Sequence, residues 1–168
     1  MSVRTASEGK HYGRPLLFDP EAGQTVVPPP GEGPGYWAGA PSVLYDAAAA
    51  RFYLSYRLRR PRPVRGGECC IAESSDGVAF RTIWAARKEA FGSASVERFA
   101  LTCALDGRWL LYTSSVDPAD GRWRIDLLEA DAPSTFDVAA RQPVLTAADT
   151  ASEGVKDPWV MVVNGLYC

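Results

Sequence analysis

Two carboxylates stand at the head of apolar runs, in closely similar settings. Glu97 lies in Ser95-Val96-Glu97-Arg98-Phe99, which opens the run FALTCAL, and Asp157 lies in Val155-Lys156-Asp157-Pro158-Trp159, which opens WVMVV. A third segment, Tyr36-Trp37-Ala38-Gly39-Ala40-Pro41, leads into PSVLY but offers Ala40 where the others offer an acid. Aromatic residues gather at these heads. Tyr36, Trp37 and Trp159 flank these heads, and Trp159 reads as core along with Trp84, Trp109 and Trp123. A basic run, Arg57, Arg59, Arg60, Arg62 and Arg65, has two readings. It is a solvated connection between strands, or a clamp for an anionic sugar or phosphate, because the guanidinium fork fits both.

Each acid also has a plain structural reading. Asp-Pro favours turn initiation, and the dipeptide recurs at Asp19-Pro20 and Asp117-Pro118. Glu97 has an ion-pair partner at hand in Arg98.

The elements that must hold these residues read as β. Residues 1–35 form a Gly/Pro-rich lead with one short apolar run, Pro15 to Phe18. Beyond Tyr36, short strands are expected at Ser42–Tyr45, Arg51–Arg57, Glu68–Glu73 and Val78–Trp84, with Phe52, Leu54 and Tyr56 on one face of the second. Ser74 to Gly77 is a turn. The four alanines at 47–50 are too few to nucleate a helix. The pattern then recurs. Phe52, Trp109 and Leu166 follow one another at one constant interval, each just after a turn, and Asp106-Gly107 and Asn164-Gly165 are strong hairpin signals. Ala40 and Glu97 stand equally far ahead of their markers, and Asp157 stands slightly closer to its own. Four strands per unit, repeated head to tail, is the pattern of a propeller blade, although the interval is longer than is usual for one. The innermost strands of such blades line a common channel, and the loops at its mouth carry function. The expected fold is therefore an all-β, five-bladed β-propeller, represented by about two blades and the start of a third. Residues 36–168 are its partial domain, cut within blade three. A β-sandwich or barrel of about nine strands fits the length but not the repeat.

The totals narrow the function. Eighteen Lys plus Arg against 20 Asp plus Glu give a net charge of −2, which supplies no reason for a nucleic-acid or membrane-surface partner. The opening MSVRTASEGK lacks an apolar core of the secretory kind. The four cysteines, Cys69, Cys70, Cys103 and Cys168, form no CxxC pair and read as free thiols of a reducing, cytoplasmic compartment. A single histidine, His11, argues against a zinc site.

Three segments together resemble the five-bladed propeller glycosidases, the superfamily of invertases, arabinanases and mannoside phosphorylases. KDPW at Lys156–Trp159 resembles their Asp-Pro channel motif. AESSDGVAF at Ala72–Phe80 resembles their third-strand turn, and AGAPSVLYD at Ala38–Asp46 their first inner strand. The resemblance covers roughly residues 36–168. It implies chemistry by paired carboxylates, one protonating the leaving oxygen and the other serving as base or nucleophile. It places Asp157 and Glu97 as catalytic carboxylates at the channel, with Tyr36, Trp37, Arg98 and Arg57 toward the carbohydrate, and it leaves the general acid of many members beyond Cys168. Ala40 departs from the family pattern, which carries an aspartate there in many hydrolytic members. A noncatalytic carbohydrate-binding propeller and a sialidase-like propeller for acidic sugars are the other readings. No cofactor is demanded; a calcium ion in the channel is compatible with the family, but nothing in the sequence requires it.

Overall fold

A computed structural model describes residues 19–168. The strand expected at Pro15–Phe18, and His11, lie outside the described residues. Two four-stranded antiparallel sheets follow one another along the chain. The first contains β1 (Trp37–Asp46), β2 (Arg51–Arg60), β3 (Arg65–Ser74) and β4 (Arg81–Arg87), in the order 1-2-3-4. The second contains β5 (Val96–Cys103), β6 (Trp109–Val116), β7 (Trp123–Ala130) and β8 (Gln142–Leu145), again in sequence order. A hairpin of β9 (Val162–Val163) and β10 (Leu166–Tyr167) begins a third unit. Among the described residues there is no α-helix, only two 3-10 turns, Pro20–Ala22 and Val138–Ala140. Among these residues no helix is long and apolar enough to cross a membrane.

Turn chemistry explains the connections. The alanines at 47–50 form a turn, not a helix, because the Asp46 carboxylate accepts the N–H groups of Ala48 and Ala49 at 2.9 and 3.2 Å. Asn164 and Gly165 both have positive φ, 51° and 79°, as a two-residue hairpin turn of the twisted type requires. Asp76 accepts the N–H groups of Val78 and Ala79 at 2.9 and 2.8 Å and the Ser74 hydroxyl at 2.8 Å. That turn consumes residues 74–79, so β4 begins at Arg81 and not at Val78. The same hydrogen bonds, led by those from the Ala79 and Val78 amides, hold the Asp76 carboxyl down at about 2. A depressed carboxylate pKa stabilises the fold above the unfolded value of about 4 and loses that contribution as pH falls to the folded value. Acid titration followed by circular dichroism should therefore show the Asp76→Ala variant losing less stability than the parent between about pH 4 and pH 2.

β2 is buried at five successive positions, Tyr53 to Arg57, so both of its faces are covered. Phe52, Leu54 and Tyr56 do share a face, as their alternation requires. Leu54 and Tyr56 join Cys70 and Ala72 in one cluster, closed over by Val26, Val27 and Phe80. The lead segment is thus partly packed against the first sheet. The opposite face of β2 and β3 carries Tyr53, Cys69 and Ile71 into the main core, against Phe99, Leu101, Trp109 and Leu111 of the second sheet. Phe52 stacks on Tyr45 with ring centroids 4.7 Å apart, and Trp109 meets Tyr53 of the preceding sheet edge-on at 4.8 Å. Cys69 and Cys70 are buried free thiols, and Cys103 and Cys168 are exposed ones.

Candidate functional site

The two inner strands bulge at the positions that the sequence singles out. In β1 the pairing with β2 skips between Gly39 and Ser42, which sets Ala40-Pro41 against the single residue Tyr56. In β5 the pairing with β6 skips between Val96 and Phe99, which sets Glu97-Arg98 against the single residue Ser114. Bulges redirect side chains and often adjoin functional sites. The third segment shares the geometry of the first. Ala40 and Asp157 both adopt left-handed backbone, with φ of 52° and 61°, and both precede proline. They stand equally far ahead of the last paired residue of their hairpin's first strand, Asp46 for one and Val163 for the other. The shorter spacing of Asp157 from its marker thus comes from the tight turn after Val163.

Contacts between the units hold the segments at one end of the assembly. The Ser55 hydroxyl lies 3.3 Å from the Ser42 carbonyl and 3.2 Å from the Phe99 carbonyl, so β1 and β5 leave their bulges side by side. Arg98 donates from Nη2 to the Pro41 carbonyl at 2.9 Å. Arg57 forms an ion pair with Glu97. The Asp157 N–H donates to the Ser114 hydroxyl of β6 at 2.9 Å. A cleft of about 330 Å³ runs between β1, β5 and the chain from Trp159 to Val162, with Ser42, Leu44, Leu101 and Trp159 among its walls. A larger cleft of about 510 Å³ lies on the outer face of the first sheet, lined by Val26, Val43, Phe52, Leu54 and Phe80. No charged residue lines either cleft; the larger takes in Ala38, Gly39 and Pro41 at the head of β1, and the smaller is walled by Trp159, which follows Asp157-Pro158.

The predicted site residues fare differently. Asp157 is the accessible acid: its side chain is 42% exposed, and its charged neighbour is Lys156 at 3.2 Å. Lys156 in turn sits over the Trp123 ring at 5.6 Å. Glu97 is not a free loop carboxylate, and its ion-pair partner is Arg57 and not Arg98. Arg57 is only 6% exposed, so it belongs to the packed interface between the sheets. The arginine run divides: Arg57, Arg59 and Arg60 have partners within the protein, whereas Arg62 and Arg65 are exposed at the short connection, residues 61–64, between β2 and β3. Arg60 pairs with Glu68 at 3.0 Å, and Arg59 lies over the Trp37 ring at 5.2 Å. Trp37 is half exposed and Tyr36 is partly buried beside it. Trp159 is not core. It is 62% exposed, because the bend at Asp157-Pro158 turns it along the cleft. Asp19 and Asp117 cap local turns, accepting the amides of Glu21 and Ala119. Among the described residues no group of three His, Cys, Asp or Glu side chains is arranged to hold a metal ion.

Ser114 escapes the sequence reading altogether. It is fully buried, in the unremarkable string YTSS, and its only signal is that it follows Arg57 by the same interval that separates Phe52 from Trp109. No model of a known protein family matches this chain, and no curated protein matches it significantly.

Proposed function

We propose that the two sheets and the third hairpin are successive blades of a β-propeller, and that the end carrying Ala40, Glu97 and Asp157 binds carbohydrate in the manner of a glycoside hydrolase. The observation that supports this most is the recurrence of one head segment in three units, with left-handed backbone at both residue–proline pairs. A repeated fold that gathers equivalent positions at one end builds a binding site from them. Asp157 supplies the exposed carboxylate, and Trp159 and Trp37 supply exposed aromatic faces for sugar rings. Asp157→Asn in the intact protein should reduce glycan affinity or turnover at least about tenfold, since hydrogen bonds to a charged group are among the stronger ones. A glycan array followed by product analysis makes the measurement. Unchanged binding and turnover would remove Asp157 from the site.

One observation favours a noncatalytic version of the same site. Ala40 stands at a position geometrically equivalent to Asp157, and Glu97 is neutralised by Arg57, so the described residues bring one free carboxylate to the heads of the inner strands. Hydrolysis by the two-carboxylate route needs a pair. Glycan binding without release of product from the same glycans would select this version.

A further inference from the structure

The repeat contains one inter-unit contact in two chemical versions. Arg57 on β2 and Ser114 on β6 are second-strand residues, separated by the interval of the repeat. Both reach forward to the head segment of the next unit. Arg57 reaches Glu97 side chain to side chain, with the two side chains only 7% and 17% exposed. Ser114 reaches the backbone of Asp157, accepting its N–H at 2.9 Å while itself fully buried. From this pairing we infer that Ser114 is a positioning residue for Asp157: its hydroxyl fixes the aspartate's backbone, and its small size leaves the carboxylate without the guanidinium that neutralises Glu97.

Two physical features require such a residue. Left-handed backbone is unfavourable for a residue with a side chain, and a following proline restricts the preceding residue further. Asp157 has φ of 61° and precedes Pro158, so an outside hydrogen bond must help to hold it. Serine also supplies the smallest hydroxyl, and an arginine at position 114 would place a cation where the Asp157 carboxylate now has only the exposed Lys156. The sequence therefore encodes one clamped acid and one presented acid by changing a residue in the preceding unit, not beside either acid.

The inference rests on the proposed sugar site for its purpose, but its test has a readout free of sugar. Three variants of the full chain serve: Ser114→Ala, Ser114→Thr and Ser114→Arg. In Ser114→Ala the Asp157 amide should lose protection from hydrogen exchange by about five- to tenfold, and Ser114→Thr should restore it. Glycan affinity should fall in Ser114→Ala and Ser114→Arg and be kept in Ser114→Thr. An unchanged Asp157 amide in Ser114→Ala would overturn the positioning role. If the amide responds but the parent binds no glycan, the contact stands and the sugar reading falls. If Ser114→Arg does not fold, the alanine and threonine pair still decides.

Discussion

Replacing Glu97 with alanine should cost the protein about 3–5 kcal/mol of stability, because it leaves the buried Arg57 charge without its partner. For a chain of this size that corresponds to a fall in melting temperature of roughly 6–20 °C. Arg57 has little means of recovery. It lies between the sheets, and its Nε is already buried without a hydrogen-bond partner. The double change Arg57→Met with Glu97→Leu should recover much of the loss, since a buried pair replaced by apolar residues of similar volume is often tolerated. Calorimetry on the two variants separates the structural role of Glu97 from a chemical one. A Glu97→Ala protein that melts like the parent but loses glycan turnover would make Glu97 a catalytic acid after all.

Gly66→Ala should be the next most damaging change, costing about 3 kcal/mol or more, at or beyond the upper end of what overpacking a well-filled interior ordinarily costs. A Cβ on Gly66 would fall on the Val96 carbonyl, inside any contact distance, and within 2.9 Å of the Ser95 hydroxyl. The obstacle is backbone, which cannot swing aside as a flexible side chain would. Gly66 lies near the start of β3 where the first sheet meets β5, so the added methyl must push the sheets apart just beside the Arg57–Glu97 pair. Gly39→Ala is the control, because nothing lies within 4 Å of its Cβ. Urea unfolding midpoints for the two variants make the comparison, and equal midpoints would show that the sheets are not in tight register at Gly66.

The strands were legible because their signals are local. Alternation in β2, the Asp76 turn and the Asn164-Gly165 hairpin each depend on a few neighbouring residues. The equivalence of Ala40 and Asp157 was legible as well, apart from an offset that the length of one turn explains. Partnerships across the sheets were not. Arg57 lies in a run of arginines and so reads as solvated, yet the inter-sheet face of β2 carries it into contact with the bulge of β5 in the next sheet. Glu97 has Arg98 beside it in sequence, but Arg98 is drawn instead to the Pro41 carbonyl. Trp159 reads as core from its apolar neighbours, and only the bend at Asp157 turns it outward. Ser114 gives no compositional signal at all, since its part is played by one hydroxyl against one backbone amide.

The forward reach of each second strand determines where this chain can be divided. Cutting between Arg87 and Val96, in the linker from β4 to β5, keeps each sheet whole but parts Arg57 from Glu97. The unit that carries a complete contact instead runs from the second strand of one sheet to the head segment of the next. A recombination library spliced in the sheet-joining linkers would therefore pair every head segment with a foreign anchor. Splices placed within the hairpin turns, at 47–50 or 104–108, would transplant each head segment together with the sheet that holds it.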